Sequence, residues 1–564
     1  MQFQKLVDVY EQLEQTSGGN DIREILAKFF KEANKEDVPM LAYLTLGQLA
    51  AEYQSAVLGL AEKSVLKSIS VAGGTDIKYV KTALRETGDA GLAAEKILRK
   101  KPMTLVPLGK LTVHELFDKL RLIAKTSGLG SIDTKTKTIA TLLQKASPTG
   151  AKYVIRIALG TLRMGVGDMA VLDALAIAFT GDKKNKEVLE KAYNICPDVG
   201  KVAQTLVEEG LEGLEKIQIE VGRPIKMMAA QRVQNLEDIR KKIDGAMSVE
   251  GKYDGERIQV HSKDIVSLFS RRLDNISDQF PDLVKYLANV KAKEFIIEGE
   301  VMAVDENGNH LPFQVLMQRR RKHDIEEYVK KIPVEFKVFD LLYVDGSTYM
   351  DKPYEERMKK LSTMIPKNEH LFLADQIVTD NLDDVEEFFN KMVEDGQEGI
   401  MIKSLKGEYQ AGMRGWNWIK WKKDYMSVTD TFDLAIVGAF YGRGKRSGVY
   451  GALLCACYNK KEDSFETVCK VGTGLTDEML ASLPKMLKKY ETKKKPSRLK
   501  CKKEVEPDVW FEPGIVIEVL AAEITKSPYH TLGYALRFPR FVKVRDDKGV
   551  SEVTTSKEIE AMAQ

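Results

Sequence analysis

The stretch 249–261, VEGKYDGERIQVH, sets a lysine, an aspartate and a glycine between two runs that read as strands. Lys252 is flanked there by Glu250, Asp254 and Arg257. A lysine so placed is either a solvated charge at a strand edge or a nucleophile. A free lysine amine titrates near 10.4, so only about one molecule in a few thousand is neutral at pH 7. Nucleophilic attack therefore needs desolvation or neighbouring cations, a correction of roughly 4–5 kcal/mol. The tetrapeptide K-x-D-G is too short to decide between the two alternatives.

Four further segments bear on the choice. FIIEGEVMAV (295–304) puts Glu298 and Glu300 on one face of a strand, because strand side chains alternate with period two. VFDLLYV (338–344) presents Phe339 and Asp340. EGIMIKS (398–404) places Glu398 at the start of an apolar strand and Lys403 near its end, and WNWIKWKKDY (416–425) carries Lys420 and Lys422 on one face. Carboxylates hold Mg²⁺ through a few oxygens or its waters, and paired lysines neutralise phosphates. These are the parts needed to handle a nucleoside triphosphate.

The chain around them is long enough for about three domains: 564 residues, 43% hydrophobic and 30% charged, a globular composition. Net charge is only +3, from 86 basic and 83 acidic residues, so any nucleic-acid surface must concentrate its cations locally. The amphipathic, acidic N-terminus lacks a signal-peptide pattern, and the apolar run VLDALAIAF (171–179) is too short to span a bilayer. Five cysteines with no C-x-x-C pair argue against a zinc ribbon and fit a reducing cytoplasm.

Three textures divide the chain. Residues 1–220 predict an all-α domain, with helical stripes in FQKLVDVYEQLEQ, DIREILAKFFKEA, HELFDKLRLIAK and AKYVIRIALGTL. Residues 221–424 alternate short β-branched runs with helices, which predicts an α+β domain with antiparallel sheets. Residues 425–564 are strand-rich around one helix, which suits an OB-fold β-barrel. The polar stretch DYMSVTDT (424–431) is a candidate hinge. AFYGRGKRS (439–447) is no P-loop, because Ala439 and Arg446 stand where a glycine and a hydroxyl are needed. The Lys-rich stretch 488–503 reads equally as a solvated face or a backbone contact.

The ordered segments KYDGER, SRRLDN, IIEGEVMAV, VFDLLYV, EGIMIK, WIKWKKDY and RFPRFVKVRDDK resemble the nucleotidyltransferase motifs of ATP-dependent DNA ligases. The similarity is strongest to the archaeal enzymes related to the eukaryotic replicative ligase. It extends through LRMGVGDMAVLDALAIAF into the helical part, over essentially the whole chain. The resemblance implies a helical DNA-binding domain, an adenylation domain and an OB-fold domain that together seal nicks in replication, repair and recombination. It implies that Lys252 takes AMP from ATP, that Glu250 contacts the adenine amino group, and that Phe339 stacks on adenine. Arg257 and Arg271 match arginines at the ribose or a phosphate; Glu300 and Glu398 match acids near the metal and ribose. Lys403, Lys420 and Lys422 match phosphate contacts. Arg414 joins the ATP set, and Arg545 and Lys548 match residues that orient departing pyrophosphate. Arg272, Arg319 and Arg320 match a DNA-facing set, the last two within QRRRKHD (318–324).

The resemblance further implies ATP and Mg²⁺, with Mn²⁺ as an alternative metal. Its partners would be nicked double-stranded DNA and a sliding clamp, with no membrane, in a cytoplasmic monomer. MTLVPLGKL (103–111) lies where a clamp-binding peptide belongs but lacks an aromatic pair. An RNA ligase or capping guanylyltransferase shares the lysyl-nucleotide chemistry; the N-terminal helical segments weigh against both. An NAD-dependent ligase conflicts with the cysteine spacing. A non-catalytic DNA-binding relative conflicts with the intact Lys252, Glu300, Glu398 and Lys420.

Overall fold

The computed structural model describes every residue except 17, 55, 57, 101–108, 163, 234, 321–324, 367–368, 423–430, 443–448 and 564, and except the side chain of Arg320. The candidate hinge, most of the clamp-peptide stretch, the core of QRRRKHD and the GRGKRS loop fall on residues outside this set. Two compact units result: Met1–Ala61 with Pro107–Met426, and Glu62–Val106 with Ser427–Gln564.

In the first unit the helical stripes form as the spacing predicts. Helix Phe3–Gln15 buries Phe3, Leu6, Val7, Tyr10 and Leu13, one face at i, i+3, i+4 and i+7. Helix Val113–Lys125 starts at Thr112, whose side chain accepts from Glu115 N, and Pro148–Ala158 starts at Ser147 with proline in its first turn. The run VLDALAIAF lies inside helix Asp168–Thr180. Among the described residues no helix is long and apolar enough to cross a membrane.

The same unit carries two sheets, whose strands are β1 (Ala229–Arg232), β2 (Met247–Lys252), β3 (Glu256–Ser262), β4 (Val266–Ser270), β5 (Phe295–Ala303), β6 (Val334–Val344), β7 (Ser347–Thr348), β8 (Leu371–Leu373), β9 (Gln376–Thr379), β10 (Gly399–Ser404) and β11 (Arg414–Lys422). One sheet runs β1-β11-β10-β2-β9; the other runs β4-β3-β5-β6-β7, with β8 on β6. Pairing is antiparallel except for β1 with β11 and β6 with β8. In the first sheet, period two sends Val249, Ile400, Ile402, Ile419 and Trp421 to one face, against Val385, Phe388, Phe389 and Met392 of helix Leu382–Glu394. Trp421 stacks on Phe389 at 4.2 Å. In the second sheet Ile258, Val260, Ile297, Val301, Phe336, Val338 and Leu341 join one core. Each sheet thus has one apolar face in its own core, and its other face carries charged side chains beside a further apolar cluster that includes Ile296, Leu342 and Trp418.

A buried Arg–Asp pair braces the second sheet's core. Arg319 makes two parallel bonds to Asp282, at 2.9 and 2.7 Å, and donates to the Ile332 carbonyl at 2.6 Å. Its side chain is 1% exposed. The DNA contact expected at Arg319 is corrected accordingly: a guanidinium with its donors spent internally presents nothing to a phosphate. Arg319→Ala is expected to lower stability by about 3–5 kcal/mol, because it strands Asp282. Urea unfolding measures that loss, while the salt dependence of nick binding should stay as in the parent.

In the second unit the long strands Thr431–Tyr441, Tyr450–Asn459 and Ser464–Val471 pair in sequence order. Val516–Leu520 pairs with the first of them and with Arg540–Val544. The ring closes where Phe541 N donates to Thr473 O at 2.9 Å, in a parallel bridge of Thr473 with Arg540. Five strands, a helix (Asp477–Leu487) after the third, and a parallel join of third to fifth make the barrel expected from the sequence.

Candidate active site

The polar face of the first sheet is built in rows. Lys252, Gly399 and Lys422 stand opposite one another across β2, β10 and β11. Two residues along stand Glu250, Met401 and Lys420, and two further Ser248, Lys403 and Trp418. Gly399 has φ +139°, and a Cβ there would lie 2.3 Å from the Trp421 carbonyl, so no other residue fits. Glu398, just before it, reaches both lysines of its row: Oε2 lies 2.7 Å from Lys252 Nζ and also pairs with Lys422.

The polar face of the second sheet supplies Arg257, opposite Glu300, and Phe339. One cleft is lined by Glu250, Lys252, Arg257, Arg271, Glu300, Phe339, Lys403, Arg414 and Lys420, with Tyr253, Met401 and Trp418 among them. Lys422 and Glu398 adjoin it through the ion pairs just given. Burial, with Lys252, Lys422, Arg414 and Arg271 around it, pulls the Lys420 amine below the ordinary lysine value. Burial opposes the charge on Glu398, yet Lys252 and Lys422 outweigh it and hold that carboxyl below its usual range. Among the described residues Glu300 forms no such ion pair. Burial pushes it up to about 7 against the pull of Lys252 and Arg257, and Glu398 and Glu256 add to the rise.

Several side chains take places that spacing alone did not indicate. Arg257 donates to Glu298 at 2.6 Å and to the Met228 carbonyl at 2.7 Å, and its guanidinium lies 5.0 Å from the Trp418 ring. Glu298 is fully buried and also accepts from Tyr409 and Gln259, each at 3.0 Å; it fixes Arg257. Lys403, expected at a phosphate, instead pairs with Glu250 at 2.7 Å and donates to the Phe339 carbonyl at 3.0 Å. The rings of Phe339, Tyr354 and Trp418 surround its amine at 4.5–4.7 Å. Asp340 turns away from the cleft into a bidentate pair with Arg357, both side chains 0% exposed.

Tyr354, Tyr409 and Gln259 carried no local signal. Trp418 did, sharing the period-two face of Lys420 and Lys422. Arg272 lines a neighbouring groove with Arg271, Lys226 and Glu52. In the C-terminal unit Arg545 pairs with Asp433 at 2.9 Å and with Asp547 at 2.8 Å, and Lys548 also pairs with Asp433.

One cleft between the two sheets thus gathers a lysine with acids and further cations in register beside it. The family model described as "ATP dependent DNA ligase domain" matches residues 227–422. "DNA ligase N terminus" matches 2–176 and "ATP dependent DNA ligase C terminal region" matches 446–548. DNA ligase 2 of Thermofilum pendens is 43% identical over 99% of this chain and 96% of its own length. The DNA ligase of Staphylothermus marinus is 44% identical over 99% and 98%. The chain belongs to the ATP-dependent DNA ligase family. A solved structure called Pmar-Lig_Pre. shares the fold, with a TM-score of 0.57 at 16% identity over 96% of this chain and 99% of that one.

Proposed function

We propose that Lys252 is the residue through which this ATP-dependent DNA ligase passes AMP to a nick. The carrying observation is its amine in the cleft, 2.7 Å from Glu398 and aligned with Lys422 across Gly399. The Lys252 nitrogen attacks the α-phosphorus of ATP; an N–P bond forms, the bond to the bridging oxygen breaks, and pyrophosphate departs. The AMP then passes to the 5′-phosphate at the nick, and the 3′-hydroxyl displaces it to form the phosphodiester. Each step is an in-line displacement, so catalysis is mostly positioning and charge neutralisation.

The resting pair with Glu398 suits a charged amine, whereas the attacking amine must be neutral. Lys252 therefore leaves Glu398, and Lys422 stays on that carboxylate. Lys420, Arg271 and Arg414 offer charge to the phosphates, and Arg257, held by Glu298, points to the ribose or a phosphate. Phe339 supplies a face for the base, and Trp418 packs behind it.

Among the described residues no group of three or more His, Cys, Asp or Glu gathers as a metal cage. Mg²⁺ needs none, since it takes one or two carboxylates and completes its shell with water and phosphate. Glu300, raised by burial and by the neighbouring Glu398 and Glu256, is the carboxyl that a divalent cation fits best, with Glu398 second. When bound, the ion supplies positive charge to the triphosphate.

Incubating the chain separately with ATP, ADP, GTP and NAD, then weighing it and mapping the adduct, tests the assignment. AMP on any residue other than Lys252 overturns it. The raised Glu300 adds a pH dependence. Its carboxyl is neutral below about 7 and ionised above, so kcat/KM for ATP in the adenylation step should rise with pH through about 7. In Glu300→Gln that inflection should vanish, and its survival would assign it to another group.

A further inference from the structure

One end of the cleft is closed by a ring of polar contacts that joins the two sheets. Glu250 on β2 accepts at Oε1 from the Tyr354 hydroxyl and, at 3.3 Å, from the Ser248 hydroxyl. At Oε2 it meets Lys403 Nζ at 2.7 Å. Lys403 donates onward to the Phe339 carbonyl on β6 at 3.0 Å, and the Tyr354 hydroxyl lies 3.4 Å from that same carbonyl. Pro353 starts the helix Tyr354–Met364 and so sets where the tyrosine enters. Glu250 is 2% exposed, and Tyr354 and Lys403 are 1%.

A buried ion pair is a poor source of stability, because apolar residues of the same volume hold a fold as well or better. Its place in the cleft wall calls for another explanation. Both carboxylate oxygens are held by donors, so Glu250 cannot turn, and an ionised carboxylate only accepts hydrogen bonds. Oε1 is filled by the two hydroxyls, and Oε2, held by Lys403 alone, keeps one further lone pair for a ligand. The face offered by Phe339 serves any purine alike, which leaves the base edge as the place where purines differ. Adenine carries an amino donor at its six position; guanine carries a carbonyl acceptor.

We propose that Tyr354 and Lys403 are positioning residues that make the cleft select adenine over guanine, by fixing Glu250 as an acceptor against the six-position edge of the base. This rests on the assignment of the cleft to ATP. With guanine, two acceptors would face each other out of water. A site with a buried polar group left unpaired rejects the wrong ligand far more strongly than a mismatch of shape does. Tyr354→Phe keeps the ring and removes the donor, so Glu250 gains freedom to turn.

The test follows covalent capture of label from ATP and from GTP, each labelled at the α-phosphate, in the full-length parent, Tyr354→Phe and Lys403→Met. The parent should favour ATP by about 10³-fold or more in kcat/KM. Tyr354→Phe should narrow that ratio by about 10-fold or more, through a higher KM for ATP with capture at saturation nearly kept. Lys403→Met should narrow it further. An unchanged ratio, with both nucleotides slowed equally as simple loosening of the core would produce, overturns the proposal; so does a parent that takes GTP as fast as ATP. Lys252→Ala run alongside separates the two levels: label captured by that variant would mean that the cleft assignment itself is wrong.

Discussion

Lys252→Ala is expected to capture no AMP, a loss of at least about 10⁴-fold in adenylation, the scale seen when a covalent nucleophile is removed. No neighbour can substitute. Lys420 and Lys422 stand two strands away, and Lys403 is enclosed by Glu250 and three rings. The fold should survive, since the Lys252–Glu398 pair is partly exposed, at 22% and 28% of the two side chains, and Lys422 remains on the acid. Such pairs contribute about 1 kcal/mol or less. The final displacement forms no bond to the lysine, so sealing of a nick supplied already adenylated should fall far less than sealing from ATP. Measuring both substrates with one preparation checks this. Equal loss on both would assign Lys252 to binding or folding rather than to nucleophilic attack.

Arg357→Met is expected to lower stability by about 3–5 kcal/mol. Arg357 and Asp340 are both fully buried and joined at 2.7 and 3.1 Å. The remaining nitrogen donates to the Lys352 carbonyl at 2.7 Å and the Gly407 carbonyl at 2.9 Å. Methionine replaces the stem but leaves the buried Asp340 carboxylate with only its bond from Leu341 N and takes the donor from both carbonyls. The double variant Arg357→Met/Asp340→Leu removes the stranded charge and should recover most of the loss. Urea midpoints of the three proteins decide it. If Arg357→Met unfolds at the parent's midpoint, the pair does not hold the sheet to helix Tyr354–Met364. Because Asp340 follows Phe339 directly, the single variant should also weaken ATP capture.

The elements of the catalytic unit were legible because their patterns are local. Alternation in KWK and EGE places Lys420 with Lys422 and Glu298 with Glu300 before any fold is known, since a strand has period two whatever it pairs with. The helices of the N-terminal part were legible for the same reason at period 3.6. Arg319 shows the limit. Within QRRRKHD its charge looks free, and only Asp282, 37 positions away, reveals that it is buried and paired.

Lys403 and Tyr354 carry the same lesson further. A lysine at the end of an apolar strand has the same local sequence whether it meets a phosphate or a carboxylate. Tyr354 lies 104 positions from Glu250, beyond the reach of any periodicity. The sequence by itself determined which residues share a strand face, which helical stripes form cores, and the order of motifs that marks a DNA ligase of the ATP type. Only the tertiary structure decided which charges are free and which are already answered. Hydrogen bonds and ion pairs are fixed by proximity in space, and across two sheets that proximity is set by register and packing rather than by spacing along the chain.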